Sequence, residues 1–111
     1  MELRQEGTRA YGRLRLAGER CIEEVLLNGA VHRFGKGVST QKLKSVVVTA
    51  DDYREVDAGM TKSSKFEHDA ASAVGRLPIP DPEELDQDIA KLSAWRETVN
   101  KRLGETAKAR A

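Results

Sequence analysis

Few residues in this sequence are of types that perform chemistry, and their spacing decides which chemistry survives. The histidines His32 and His68 lack Cys, Asp or Glu neighbours at metal-ligand spacing, because Glu67 and Asp69 flank His68 but point off its helical face. Cys21 is the only cysteine. An internal disulfide and a four-ligand structural zinc site of the usual kind are therefore excluded, and nothing in the sequence brings a histidine to this thiol as a base. Gly29 to Gly37 includes a Gly-Lys pair, yet Gly37 follows Lys36 where a phosphate-cradling P-loop needs Ser or Thr. The carboxylates Asp51, Asp52, Glu55 and Asp57 crowd one stretch without singling out an acid–base pair. A non-enzymatic protein without cofactor or metal is expected.

What remains points to binding. The net charge of +1 conceals an asymmetry, since residues 1–44 hold nine Lys/Arg against five Asp/Glu while residues 45–111 hold ten against thirteen. Between Glu24 and Asp51 no acid occurs, whereas Arg33, Lys36, Lys42 and Lys44 do, with His32 beside them. Such a stretch suits phosphates or an acidic partner, and competes with the plainer reading of a solvated face. Two local patterns overlap there. Gly37-Val38-Ser39-Thr40 followed by Leu43 and Val46 resembles the turn and recognition helix of a helix-turn-helix protein, although His32 and Lys36 stand where the preceding helix should bury apolar groups. Lys44 to Tyr53 resembles the strand and first-helix start of a ribbon-helix-helix protein, with Lys65 to Val74 as its second helix. The two exclude each other, because residues 43–48 would be helix in one and strand in the other. Either would make double-stranded DNA the partner, with Arg33, Lys36, Lys42 and Lys44 on phosphates and Ser39, Thr40 and Gln41 turned toward base edges. Four neutralised phosphates imply a salt slope of roughly −3.6, at ~0.9 per phosphate.

The elements that would position these residues can be read from periodicity and punctuation. Met1 to Gly7 is polar and reads as an arm. Residues 8–28 admit two readings. As a helix, Tyr11, Leu14, Cys21, Ile22 and Val25 share a stripe, with Thr8 as N-cap and Gly29 as stop, but Gly12 and Gly18 each cost ~1 kcal/mol relative to Ala. As strands, Arg13-Leu14-Arg15-Leu16 alternates, and Asn28-Gly29 between Val25-Leu26-Leu27 and Ala30 to Phe34 is the hairpin signal, since both residues accept the positive φ of a type I′ turn. The strand reading is preferred. Ser45 to Thr49 is β-branched and suits a buried strand. Thr49 caps a short helix from Ala50 to about Ala58 that stops at Gly59, and Ser64-Lys65-Phe66-Glu67 is a capping box for another from Lys65 to Val74. Pro78, Pro80 and Pro82 stiffen the linker at 77–81.

The clearest element is last. Asp81 as N-cap, Pro82 at the first helical position and Glu83 and Glu84 in the first turn make a full set of helix-start signals. Leu85, Ile89, Leu92, Val99 and Leu103 then recur at spacings of four and three, with Trp95 flanking the seam. A helix of about 25 residues spans ~38 Å, more than a small sheet covers, so part of this seam is expected to form a homo-oligomer interface, the alternative being that it folds back onto its own domain.

The sum is an α+β fold: a small domain over 1–76 with an antiparallel sheet, an Asn-Gly hairpin and two short helices, a Pro-rich linker at 77–81, and an amphipathic helix over 82–109. The chain has 111 residues, 5% of them aromatic, which limits it to one small core of Leu, Val, Ile and Ala and makes self-association a natural source of extra stability. The longest apolar runs, Val46 to Val48 among them, are three residues, so no membrane partner is expected, and a cytoplasmic setting is the default. The expected function is a small, dimeric DNA-binding regulator of bacterial, plasmid or phage type. The alternative is a structural or adaptor subunit of a larger, viral-type assembly, or a protein-binding inhibitor. Residues 25–50 discriminate them, because DNA binding needs cations on one face and a protein partner needs apolar groups exposed there.

Overall fold

The computed structural model describes residues 2–68 and 81–111, with side chains placed at 7–66 and 81–111. The elements are α1 (Glu2–Cys21), a π-helical turn (Ile22–Leu26), α2 (Thr40–Leu43), α3 (Ala50–His68) and α4 (Pro82–Ala109). No strand occurs among the described residues, so the expected α+β sheet is replaced by a helical fold.

Three of the strand signals are put to other uses. Residues 21–27 are helical because their apolar groups continue the stripe of α1. The Leu27 N–H reaches the Ile22 carbonyl at 2.9 Å, and this wider turn lets the adjacent Val25 and Leu26 both face the core, each 6% exposed. Asn28 and Gly29 do adopt positive φ, 53° and 67°, as the hairpin reading required. They use it to end a helix: the Gly29 N–H returns to the Glu23 carbonyl at 2.8 Å, which makes the pair a left-handed C-terminal cap. Residues 46–49 form neither helix nor strand. Their carbonyls are satisfied by α4, since Arg102 Nη2 donates to the Val47 carbonyl at 3.2 Å and Arg110 Nη1 to those of Lys44 and Val46 at 2.8 and 3.3 Å.

The helix boundaries also move. Residues 2–7, expected as an arm, belong to α1. Gly18 is accommodated because a Cβ there would lie 3.2 Å from Met60 Sδ, so its bare backbone lets α1 approach α3. In α3, Thr49 and Asp52 cap reciprocally: the Asp52 N–H donates to Thr49 Oγ1 at 3.1 Å and the Thr49 N–H to Asp52 Oδ2 at 2.8 Å. This helix does not stop at Gly59 and runs through Ser64, so the two expected short helices merge as far as His68. Residues 69–74 of the second expected helix, and the Pro-rich segment before Asp81, lie outside the described residues. Asp81 caps α4 with Oδ1 accepting from the Glu84 N–H at 2.9 Å, and Pro82 follows as expected.

Contacts set the topology. Tyr11 packs on Phe66 with ring centroids 5.2 Å apart and donates to Asp88 Oδ2 at 2.6 Å. Val25 and Leu26 join Trp95 and Val99 in the core, with Val56, Leu92 and Leu103 packed against it. α1 therefore runs antiparallel to α3 and parallel to α4. The predicted oligomer seam is largely spent inside the chain: Trp95 and Val99 are buried, Leu85, Leu92 and Leu103 are half-buried, and Ile89 is exposed. A helical core, unlike a small sheet, is long enough to cover this face.

Candidate functional site

The acid-free segment emerges from the C-terminal cap of the π-helical turn and is folded into a compact loop. Its ends are pinned where the Ser39 N–H donates to the carbonyl of Ala30, 2% exposed, at 2.8 Å, and where Asn28 Nδ2 donates to the Lys42 carbonyl at 3.0 Å. Between these pins the Gly35 N–H closes a turn on the His32 carbonyl at 2.9 Å, leaving Arg33 and Phe34 at its two central positions. Closed loops of this kind present side chains on a braced backbone.

Arg33 is the brace. Its Nη1 lies 2.7 Å from Glu19 Oε2 and its Nε 3.1 Å from Glu23 Oε1, while its backbone N–H also donates to Glu23 Oε1 at 3.3 Å. Glu19 and Glu23 are four apart and share one face of the helical run. The guanidinium carbon stands 5.7 Å from the centroid of the Phe34 ring, within cation–π range. Phe34 itself is 93% exposed. Val31, Val38, Leu43 and Val48 are exposed in the same segment.

The predicted nucleic-acid residues are thus divided. Arg33 is committed to two carboxylates. Ser39 spends its hydroxyl on the N-cap of α2, accepting from the Lys42 N–H at 3.4 Å. Thr40 and Gln41 are exposed on α2, which has four residues, too few for a recognition helix. Residues 43–48 are neither a recognition helix nor a strand in a sheet, so neither resemblance is realised. Lys36, Lys42 and Lys44 are exposed and make no ion pair among the described residues. The ammonium of Lys42 and the imidazole of His32 converge over Gly29, where a Cβ would lie 3.7 Å from Lys42 Nζ and 3.5 Å from His32 Nε2.

Sequence reasoning missed two features. Phe34, expected within a strand, stands out in solvent; its position between Arg33 and the two glycines Gly35 and Gly37 was the available signal. Arg102 and Arg110, which hold the 44–47 backbone, follow only from the way α4 packs. Comparison with protein-family models, with curated proteins and with solved structures finds no match for the chain.

Proposed function

We propose that the chain is a docking subunit, a structural or adaptor protein that engages another protein through residues 31–48. The observation that carries this reading is Phe34, 93% exposed at the tip of a turn braced by two ion pairs. Fully burying a Phe side chain contributes about 1.5–3 kcal/mol, and the fold forgoes that contribution here while holding the residue in place. A pre-positioned aromatic among exposed aliphatic groups is the usual make-up of an interface anchor. Lys36, Lys42 and Lys44 around it fit a partner whose apolar pocket is rimmed by carboxylates, and such a rim sets association rate and selectivity more than affinity.

The test is a photo-crosslinking residue in place of Phe34, expressed in the cells that carry the natural gene. The expected result is a discrete protein adduct whose yield falls at least about tenfold when Lys36, Lys42 and Lys44 are changed to Glu. An absence of adducts, or adducts to nucleic acid alone, would sink the reading.

Nucleic-acid binding is a second reading, favoured by the three unpaired lysines within a segment free of acids. Because Arg33 is committed to Glu19 and Glu23, the salt slope on duplex DNA drops to roughly −2.7, at ~0.9 for each of three phosphates. Fluorescence anisotropy with mixed duplexes near ~50 mM salt separates the two readings, and a flat titration at tens of micromolar protein removes the second.

A further inference from the structure

α1, α3 and α4 do not close on one another completely. Between them lies a cavity of about 290 Å³, walled by Leu14, Val56, Met60 and Leu92 and by the rings of Tyr11 and Trp95. It opens to solvent where the lining residues Glu55, Ala58, Gly59 and Lys91 are exposed. An apolar cavity of about 150 Å³ already admits a benzene ring, so this one has room for an aromatic side chain.

The charges in the lining cancel. Glu55 and Asp88 stand against Lys62 and Lys91, and Asp88 Oδ2 is already satisfied by Lys62 Nζ at 2.8 Å and by Tyr11 Oη at 2.6 Å. Apolar and aromatic walls with no charge left to neutralise suit an uncharged ring. The segments that carry these walls are nevertheless acidic as a whole. Residues 51–63 hold four Asp/Glu against two Lys/Arg, and residues 83–97 hold five against two, so cations are favoured around the cavity although not inside it.

The chain itself carries a group of that description. Phe34 is an uncharged ring, 93% exposed on a braced turn, and its segment also brings Lys36, Lys42 and Lys44, which make no ion pair among the described residues. Phe34 does not line the cavity of its own chain. We infer that Phe34 of one copy seats in the cavity between α1, α3 and α4 of a second copy, with the three lysines against the acidic segments of α3 and α4. The inference rests on the docking reading of residues 31–48 and names its partner. Plug and socket share no residue, so a copy that donates its ring still offers its own cavity to another. Such a contact runs head to tail into chains or closed rings instead of stopping at a dimer.

Analytical ultracentrifugation of the purified chain is expected to show a mass that rises with concentration. Phe34→Ala, which removes the plug, and Gly59→Trp, which crowds the cavity mouth, are each expected to be monomeric. Mixed together they are expected to form a 1:1 dimer and nothing larger, because each supplies the half that the other lacks. An unmodified chain that is monomeric at about 1 mM, association that persists in either variant, or a mixture that stays monomeric with both variants folded would each overturn the inference. If circular dichroism shows Gly59→Trp to be unfolded, Trp95 decides, being the only tryptophan and part of the cavity wall. Its emission should change on dilution of the unmodified chain and not of Phe34→Ala, and identical dilution curves would overturn the inference. Photo-crosslinking from position 34 separates this proposal from the docking reading. Adducts to a different protein, beside a purified chain that stays monomeric, remove the second copy as partner and leave that reading standing, whereas no protein adduct of any kind removes both.

Discussion

Asp52 is 2% exposed, and its carboxylate is where three parts of the chain meet. Oδ1 accepts from Trp95 Nε1 at 3.0 Å, while Oδ2 accepts from Arg102 Nη2 at 2.5 Å and from the Thr49 N–H at 2.8 Å. Asp52→Ala would leave the indole N–H and the half-buried guanidinium without their acceptor, and an expected loss of about 3 kcal/mol follows, to be read from urea denaturation. The pH dependence has a definite sign. Burial, the largest influence, pushes the Asp52 carboxyl up, but the hydrogen bonds from Thr49, Trp95 and Arg102 together hold it below the usual 3.8. A carboxyl depressed in the folded state contributes stability above its unfolded value and loses it as pH falls through the folded one. Urea midpoints followed from about pH 6 to about pH 2 should therefore decline below roughly 3.8, and Asp52→Asn should flatten part of that decline. A variant with the full natural decline would show that Asp52 is not its source. Asp88 is shifted the same way, its hydrogen bonds from Lys62 and Tyr11 prevailing over burial, so some acid sensitivity persists in the variant.

Two glycines inside helices predict opposite responses. At Gly59 a Cβ has open space around it, and Gly59→Ala is expected to gain up to about 1 kcal/mol of helix propensity, raising Tm by up to about 4 °C. At Gly18 the new Cβ would sit 3.2 Å from Met60 Sδ, so the same propensity gain is offset by displacement of the sulfur and of the contact between α1 and α3. Calorimetry that finds Gly18→Ala stabilised as much as Gly59→Ala would contradict the close approach of those helices. Gly29 belongs to a different case. Its φ of 67° makes Gly29→Ala a backbone strain at the cap, with an expected cost of about 1 kcal/mol.

Three helices that run up, down and up bury a core of modest size around Val25, Leu26, Trp95 and Val99. α4, about 42 Å long at ~1.5 Å per residue, reaches from the acidic turn at Asp81 to the Arg110 contacts with the 44–46 backbone. Its apolar seam serves this chain first. Leu92→Asp would place a charge against that core, and the expected outcome is loss of cooperative unfolding and of helical dichroism at 25 °C, a penalty of about 3 kcal/mol or more. A variant that kept its fold and merely halved its mass in light scattering would return the seam to an intermolecular role. No helix of the described residues is long and apolar enough to cross a membrane.

Local signals in the sequence determined the features whose partners are close in the chain. Asp81-Pro82 began α4, Thr49 with Asp52 began α3, and Asn28-Gly29 took positive φ, because caps and left-handed positions are satisfied within a few residues. What local signals left open was the use to which those features are put. Asn28-Gly29 can turn a hairpin or end a helix with the same dihedrals, and only the apolar groups of Cys21 to Leu26, docking on Trp95 and Val99, selected the helix. The β-branched run at 46–48 looked like a strand because its residues favour extended backbone. It forms no strand, and Arg102 and Arg110, 55 and 64 residues away from Val47 and Val46, take the carbonyls that a neighbouring strand would have taken. Arg33 likewise looked available to phosphates until Glu19 and Glu23 closed on it. Tertiary structure decided each of these, since hydrogen-bond and ion-pair partners distant in sequence become neighbours only when the helices pack.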